Sequence, residues 1–242
     1  MTPNPLLLVG AGGLAREVLA AVAAVNSVTA RWSVLGYLDD DPARHGRLLD
    51  GVRVLGPLDA VAEHPDAEVV LCTASTRDRG SRARIARRLG LPQQRYATVV
   101  HPSASIAAGT VLGAGTVLLA FVAVTAPQEV GAHVVVMPHT TITHDDRIAS
   151  HATFASRVAL SGGVTVGERA YLGSGALVRE GLTIGAGAIV GMGAVVLDDV
   201  PPDEVWVGAP ARRLRTLDPT DERTDERADE RADRTELTRT TR

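Results

Sequence analysis

VTVGERAYLGSGALVREGLTIGAGAIVGMGAVV, residues 164–196, repeats itself every six positions. Val166, Leu172, Val178, Ile184, Val190 and Val196 mark the period, and glycine follows it at Gly167, Gly173, Gly185 and Gly191. Six fits neither the 3.6 of an amphipathic helix nor the 2 of an alternating strand. Traced backward, the phase holds to Val100 without a slip. All seventeen residues at every sixth position from Val100 to Val196 are apolar, and all but Phe154 are aliphatic. With 45% hydrophobic residues, chance gives this in roughly one case in a million for a fixed phase. The pattern predicts a solenoid of short strands, the aliphatic residue turned inward and glycine permitting the turn, with no large loop interrupting the coils. A small residue also recurs two positions before the periodic one, at Ala152, Ala170, Ala176, Ala188 and Ala194.

Upstream the pattern changes. LLLVG reads as a buried strand, GAGGLAREVLAAVAAV as a glycine-rich turn opening a helix, and WSVLGYLDDD as a second strand ending in acids. AEVVLCTA reads as a third strand and STRDRGSRARIARRLG as an arginine-rich helix. Strands alternating with helices predict a small parallel α/β sheet. Downstream, TDERTDERADERADR (220–234) is a four-residue charged repeat with almost nothing to bury. Three parts follow: an α/β domain over 1–98, a solenoid over 99–215, and a charged tail over 216–242 expected to be disordered.

Composition narrows the function classes. The chain has 242 residues, only 3% aromatic, with a formal charge of −3 and no lysine. That balance suggests no nucleic-acid partner. The single cysteine, Cys72, sits in an apolar run and excludes an intrachain disulfide. The N-terminus lacks a basic leader segment and no apolar run is long enough for a membrane helix, so a cytoplasmic protein without membrane association is expected. The seven histidines and one cysteine show no ligand spacing, so no metal is expected.

Within the solenoid, ITHDD (142–146) places an imidazole and two carboxylates among small aliphatics. A histidine beside an acid can accept a proton near neutral pH while the acid holds the ring. On residue types alone, a polar turn at a solenoid edge fits better, because exposed polar residues are common. In the first domain, Gly10, Gly12 and Gly13 open a helix after a strand, a geometry that offers backbone N–H groups to an anion. Asp39 and Asp40 end the next strand, where an acid can meet a ribose. A dinucleotide-dependent oxidoreductase is a rival on this motif, although Ala15 stands where the third glycine of G-x-G-x-x-G belongs. A catalytically silent β-helix used as a scaffold is another.

The motifs LLLVGAGGLAREV, GYLDDD, ITHDD, LSGGVTVG, IVGMGAVVLDDVP and VGAPARRL together resemble the sugar O- or N-acyltransferases of the sialic acid O-acetyltransferase and bacillosamine N-acetyltransferase type. The resemblance covers roughly residues 5–214. It implies a Rossmann-like N-terminal domain holding a nucleotide-linked sugar, a left-handed parallel β-helix, and a homotrimer with sites between subunits. It implies acetyl-coenzyme A, or another acyl-coenzyme A, as donor. It also implies His144 as general base with Asp145 beside it, and an amino or hydroxyl group, on a sugar or another small molecule, as acceptor. Coenzyme A would contact Gly173, Ser174, Gly191 and Met192, and Arg212 would meet a phosphate. The family's second donor-contacting histidine corresponds to Thr153, with His151 nearby as a substitute. The acceptor site would include Gly10, Gly12, Gly13, Leu14, Asp39, Asp40 and Ala74. Leu14 and Ala74 replace the histidine and glycine usual in that family.

Overall fold

The structure, a computed structural model, describes residues 2–217. The charged repeat lies outside the described residues. The fold itself runs slightly past the boundary expected at 215, because Thr216 still belongs to a strand and Leu217 is buried against Ile189 and Val205.

The N-terminal domain comprises β1 (Asn4–Val9), α1 (Gly13–Val28), β2 (Trp32–Leu38), β3 (Leu48–Leu49), β4 (Val52–Gly56), β5 (Glu68–Leu71) and α2 (Ser81–Leu89). The sheet order is β3-β4-β2-β1-β5. It is mixed rather than parallel, because β3 and β4 pair antiparallel. Asp50 and Gly51 both take positive φ between them (47° and 80°), as a two-residue hairpin turn requires. β1 is buried on both faces. Leu6 and Leu8 join the core that contains Val18 and Val22 of α1, while Leu7 and Val9 join the core packed by Ile85 and Leu89 of α2. This explains why LLLV is continuously apolar rather than alternating.

From Val99 to Val196 the chain forms seventeen two-residue strands, one per hexad, in three parallel sheets. Each residue stacks on the one eighteen positions later, as Ala123 on Thr141 and Val135 on Thr153. The periodic residues point inward, and Ile142, Phe154, Val166, Leu172, Ile184, Val190 and Val196 are fully buried. The small residues two positions earlier fill the corners from inside: Ala152, Ala170, Ala176, Ala188 and Ala194 are fully buried as well.

The glycines after the periodic residue serve a purpose other than the expected turn. The left-handed backbone falls three residues after the periodic position, at Gly109, Gly115, Phe121, His133, His139, Asp145, His151, Arg157 and on to Gly193. Gly173 is needed for close stacking instead: a Cβ there would lie 2.5 Å from the Met192 backbone nitrogen in the next coil.

The three outer faces differ. The face containing Val99, Val117 and Val135 is covered by the N-terminal domain, whose α1 core they join. A second carries Val111, Glu129, Arg147, Thr165 and Thr183. The third carries Ser105, Ala123, Thr141, Ala159, Leu177 and Val195, with no charge among them and none fully buried. After the last coil, a strand over Glu204–Val207 continues the covered face, and a strand over Arg212–Thr216 pairs antiparallel to it.

Candidate active site

ITHDD forms the corner between the uncharged face and the charged face. Ile142 is inward, and Asp145 takes the left-handed position at φ 62°. His144 Nδ1 and Asp145 Oδ2 are 2.8 Å apart, and both side chains are well exposed, at 68% and 84%. With Nδ1 engaged by the carboxylate, Nε2 is the nitrogen left to accept a proton. The ring lies over Gly162, one coil further on; a Cβ there would stand 2.3 Å from His144 Cε1. The imidazole is therefore seated where its stacking neighbour has no side chain.

Asp146, the second carboxylate of the motif, is buried rather than solvated. It occupies the inward position two residues before Ile148, where most other corners carry alanine, valine or threonine. Its Oδ2 accepts from Thr143 N–H and its Oδ1 from Val164 N–H, both at 2.8 Å. Gln128 Oε1 accepts from Asp146 N–H at 3.1 Å. Burial raises the Asp146 carboxyl above its ordinary range, against the pull of those N–H groups. The carboxylate thus ties the His144 turn to the next coil, while the Asp146 N–H ties it to the preceding one.

The donor residues expected from sequence divide into two groups. Gly173, Ser174, Gly191 and Met192 do come together, on the corner between the covered face and the uncharged face. They line one cavity of about 520 Å³. Thr76, Arg77 and Arg79 from the segment before α2, and Leu214, Arg215 and Leu217 from the C-terminal strand and the residue after it, line it too. Arg212 does not line it; it lies 3.7 Å from Asp198 on an exposed strand.

Thr153 and His151 belong to the domain junction. Thr153 is buried, and its hydroxyl accepts from Arg82 Nη2 at 2.7 Å. The same guanidinium donates to the carbonyls of His133 (3.0 Å), His151 (2.6 Å) and Thr73. Arg82 is fully buried and has no carboxylate among these partners, and burial lowers its pKa to about 10. The rings of His133 and His151 stack at 5.2 Å, with Tyr96 edge-on to His133. Nothing in the arginine-rich helix pattern singles out Arg82 from its neighbours; only docking onto the solenoid does.

In the N-terminal domain, Gly10 takes φ 97° and packs on Thr73 and Cys72 after β5. Gly12 caps α1 without a side-chain bond, and nothing crowds Gly12 or Gly13, which leaves that helix N-terminus open. The Leu14 side chain is buried in the α1 core and Ala74 packs against the same core, so each can face a ligand chiefly through its backbone. Asp39 is occupied: Oδ2 accepts from Ala11 N–H at 2.7 Å and Oδ1 from Asp41 N–H at 3.0 Å. Asp40 accepts from Leu58 N–H and pairs with Arg88. The acids that a dinucleotide ribose would need thus hold the turn together. Among the described residues no group of three or more His, Cys, Asp or Glu side chains could hold a metal ion, and no helix is long and apolar enough to cross a membrane.

No family model and no curated protein matches the sequence. Solved structures do. The chain is similar to a histidine-to-asparagine mutant of perosamine N-acetyltransferase from Caulobacter crescentus, solved in complex with CoA and GDP-perosamine: 30% identity, 87% of this chain and 97% of that one covered, TM-score 0.77. It is similar to the acetyltransferase domain of PglB from Neisseria gonorrhoeae in complex with acetyl coenzyme A, at 26% identity over 88% of this chain and all of that one, TM-score 0.77. WeeI from Acinetobacter baumannii is similar at 28% identity, covering 86% and 99%, TM-score 0.75.

Proposed function

Because the chain belongs to the hexapeptide-repeat sugar N-acetyltransferases, we propose that it moves the acetyl group of acetyl-coenzyme A to an amino group on a nucleotide-linked sugar, with His144 as general base. The protein is an acetyl-coenzyme A-dependent acyltransferase. The observation that carries the finer reading is the His144–Asp145 pair, an oriented imidazole on an exposed corner with Nε2 free to take a proton.

The chemistry asks little more. The thioester is already activated. The acceptor nitrogen attacks the carbonyl carbon, a C–N bond forms, and the nitrogen's proton passes to His144 Nε2. Asp145 stabilises the imidazolium through Nδ1–H. Collapse of the tetrahedral adduct breaks the C–S bond, and the imidazolium returns the proton to the departing thiolate. No acyl-enzyme is needed. The only cysteine, Cys72, is buried, and burial pushes its thiol pKa up, away from a reactive thiolate.

The acceptor docks at the open N-terminus of α1 over Gly10, Gly12 and Gly13, where the first turn of the helix suits a diphosphate; the Gly10 N–H itself is held by Leu38 O at 2.7 Å. The donor occupies the cavity at Gly173, Ser174, Gly191 and Met192. In one chain, that corner and the His144 corner flank opposite edges of the uncharged face. A complete site therefore calls for a second copy that brings its donor corner to this His144. The uncharged face between the corners is the surface on which copies would meet, which supports a homotrimer.

The test is release of coenzyme A from acetyl-coenzyme A across a panel of nucleotide-linked amino sugars, each beside its hydroxyl counterpart. Turnover driven by an amino sugar is expected. Turnover driven only by hydroxyl acceptors would overturn N-transfer. A thermal-shift series with NAD guards the rival: a true ligand at a hundred times its Kd adds about 2.7 kcal/mol. Stabilisation by NAD with none by acetyl-coenzyme A would overturn the reading.

A further inference from the structure

The donor cavity carries an arginine cluster that the hexad pattern did not point to. Its lining includes Arg77, Arg79 and Arg215 and, among the described residues, no carboxylate. Apart from Thr76 and Ser174, the rest of the wall is apolar side chains and two glycines, Gly173 and Gly191. The arginines come from two places remote in sequence. Arg77 and Arg79 stand in the segment between β5 and α2; Arg215 stands on the antiparallel strand that closes the coil. Arg79 is buried, and its Nη1 donates to Thr76 O at 3.1 Å, so the segment is held by its own guanidinium. Arg77 and Arg215 are exposed at the cavity.

Three cations around an apolar slot suit a ligand with a polyanionic head and a thin apolar arm. Arginine presents paired N–H donors that match phosphate oxygens. Coenzyme A has that form: an adenosine 3′-phosphate 5′-diphosphate head and a pantetheine arm. We propose that Arg77 and Arg215, with Arg79 behind them, bind the phosphates of the donor, so that the N-terminal domain contributes directly to donor recognition. The inference rests on the acetyltransferase reading. It differs from the sequence expectation, which put Arg212 in that role, because Arg212 lies outside the cavity beside Asp198.

A nucleotide-linked sugar is also a polyphosphate, so the test must separate donor from acceptor. Arg77→Gln, Arg215→Gln and the double variant are assayed with acetyl-coenzyme A and with acetyl-pantetheine, which has the arm without phosphates. KM for the acceptor is measured alongside. Arg77 and Arg215 are exposed, so the variants should fold, and turnover of acetyl-pantetheine reports that they have. The expected result is a KM for acetyl-coenzyme A raised about tenfold per variant. The kcat, the acetyl-pantetheine kinetics and the acceptor KM stay as in wild type. An unchanged KM for acetyl-coenzyme A, or an equal loss with both donors, would overturn the proposal. A rise confined to the acceptor KM would also overturn it and assign the arginines to the acceptor. All three leave acetyl transfer intact, whereas a wild type that turns over neither donor would remove the reading beneath it.

Discussion

Two side chains hold His144 in place, and one absent side chain makes room for it. Asp145 fixes the ring through Nδ1, and Asp146 fixes the turn through the N–H groups of Thr143 and Val164. Gly162 leaves space for the ring. Gly162 does not take positive φ, so alanine fits its backbone but not its surroundings. Gly162→Ala should therefore displace the imidazole, lowering kcat about 100-fold, the scale that a misplacement of about 1 Å can carry. Steady-state kinetics with thermal unfolding checks this: Tm and the KM for acetyl-coenzyme A should hardly move. A kcat at the wild-type level would mean that the ring is not the base, or not seated there. Asp146→Ala is the opposite case. It strands two backbone donors in a buried corner, which costs roughly 2–5 kcal/mol and should appear as a lowered urea midpoint. The sequence held the signal for Asp146, since the hexad phase places it two residues before Ile148 in the inward small-residue position. Gly162 was not legible as a partner of His144, because only the eighteen-residue stacking brings the two together.

At the scale of elements, the junction between α2 and the solenoid is sensitive to acid. Burial lowers the His133 pKa to about 4, with the neighbouring His151 and Arg82 adding to the effect. Burial lowers His151 too, followed by Arg82; Glu168, 3.6 Å from its Nδ1, opposes this, and Arg169 and Arg87 add to the lowering. Unfolded histidine titrates near 6.5. Between about pH 6.5 and pH 4 the unfolded chain therefore binds more protons than the native one, and stability falls as pH falls. Urea midpoints measured across that window should drop less steeply for His133→Asn than for wild type. Parallel slopes would show that His133 carries no such linkage. Seventeen hexads made the coil strands legible, but not the way the two domains meet. Arg82 finds its partners in carbonyls spread from Thr73 to Ala152. The Asp50–Gly51 hairpin was legible in principle, since the aspartate–glycine pair is a local turn signal, and it turns the expected parallel sheet into a mixed one.

Across the whole molecule, two of the three solenoid faces have an evident setting: one lies under the N-terminal domain, one is charged and faces water. The third, with Ala123, Thr141, Ala159, Leu177 and Val195, is the surface assigned to self-association. Leu177 is 47% exposed on it. An arginine there would place a desolvated charge in the assembly. Leu177→Arg should leave a folded monomer by sedimentation and remove turnover with it, since the donor corner and His144 lie on opposite edges of that face. A fully active monomer would refute a site shared between copies. The solenoid was legible as a whole because its period is rigid. The cavity arginines Arg77 and Arg215 were not, because they lie far apart in sequence and meet only where the last strand closes the coil.

One imidazole, that of His144, carries the proposed catalysis. The direct measurement is coenzyme A release from acetyl-coenzyme A with an amino-sugar nucleotide acceptor, comparing wild type with His144→Ala, with acetyl-coenzyme A binding measured in parallel. Loss of a positioned general base should lower kcat about 100-fold or more while donor binding persists. A His144→Ala protein that turns over like wild type would contradict the assignment of the catalytic site to this corner.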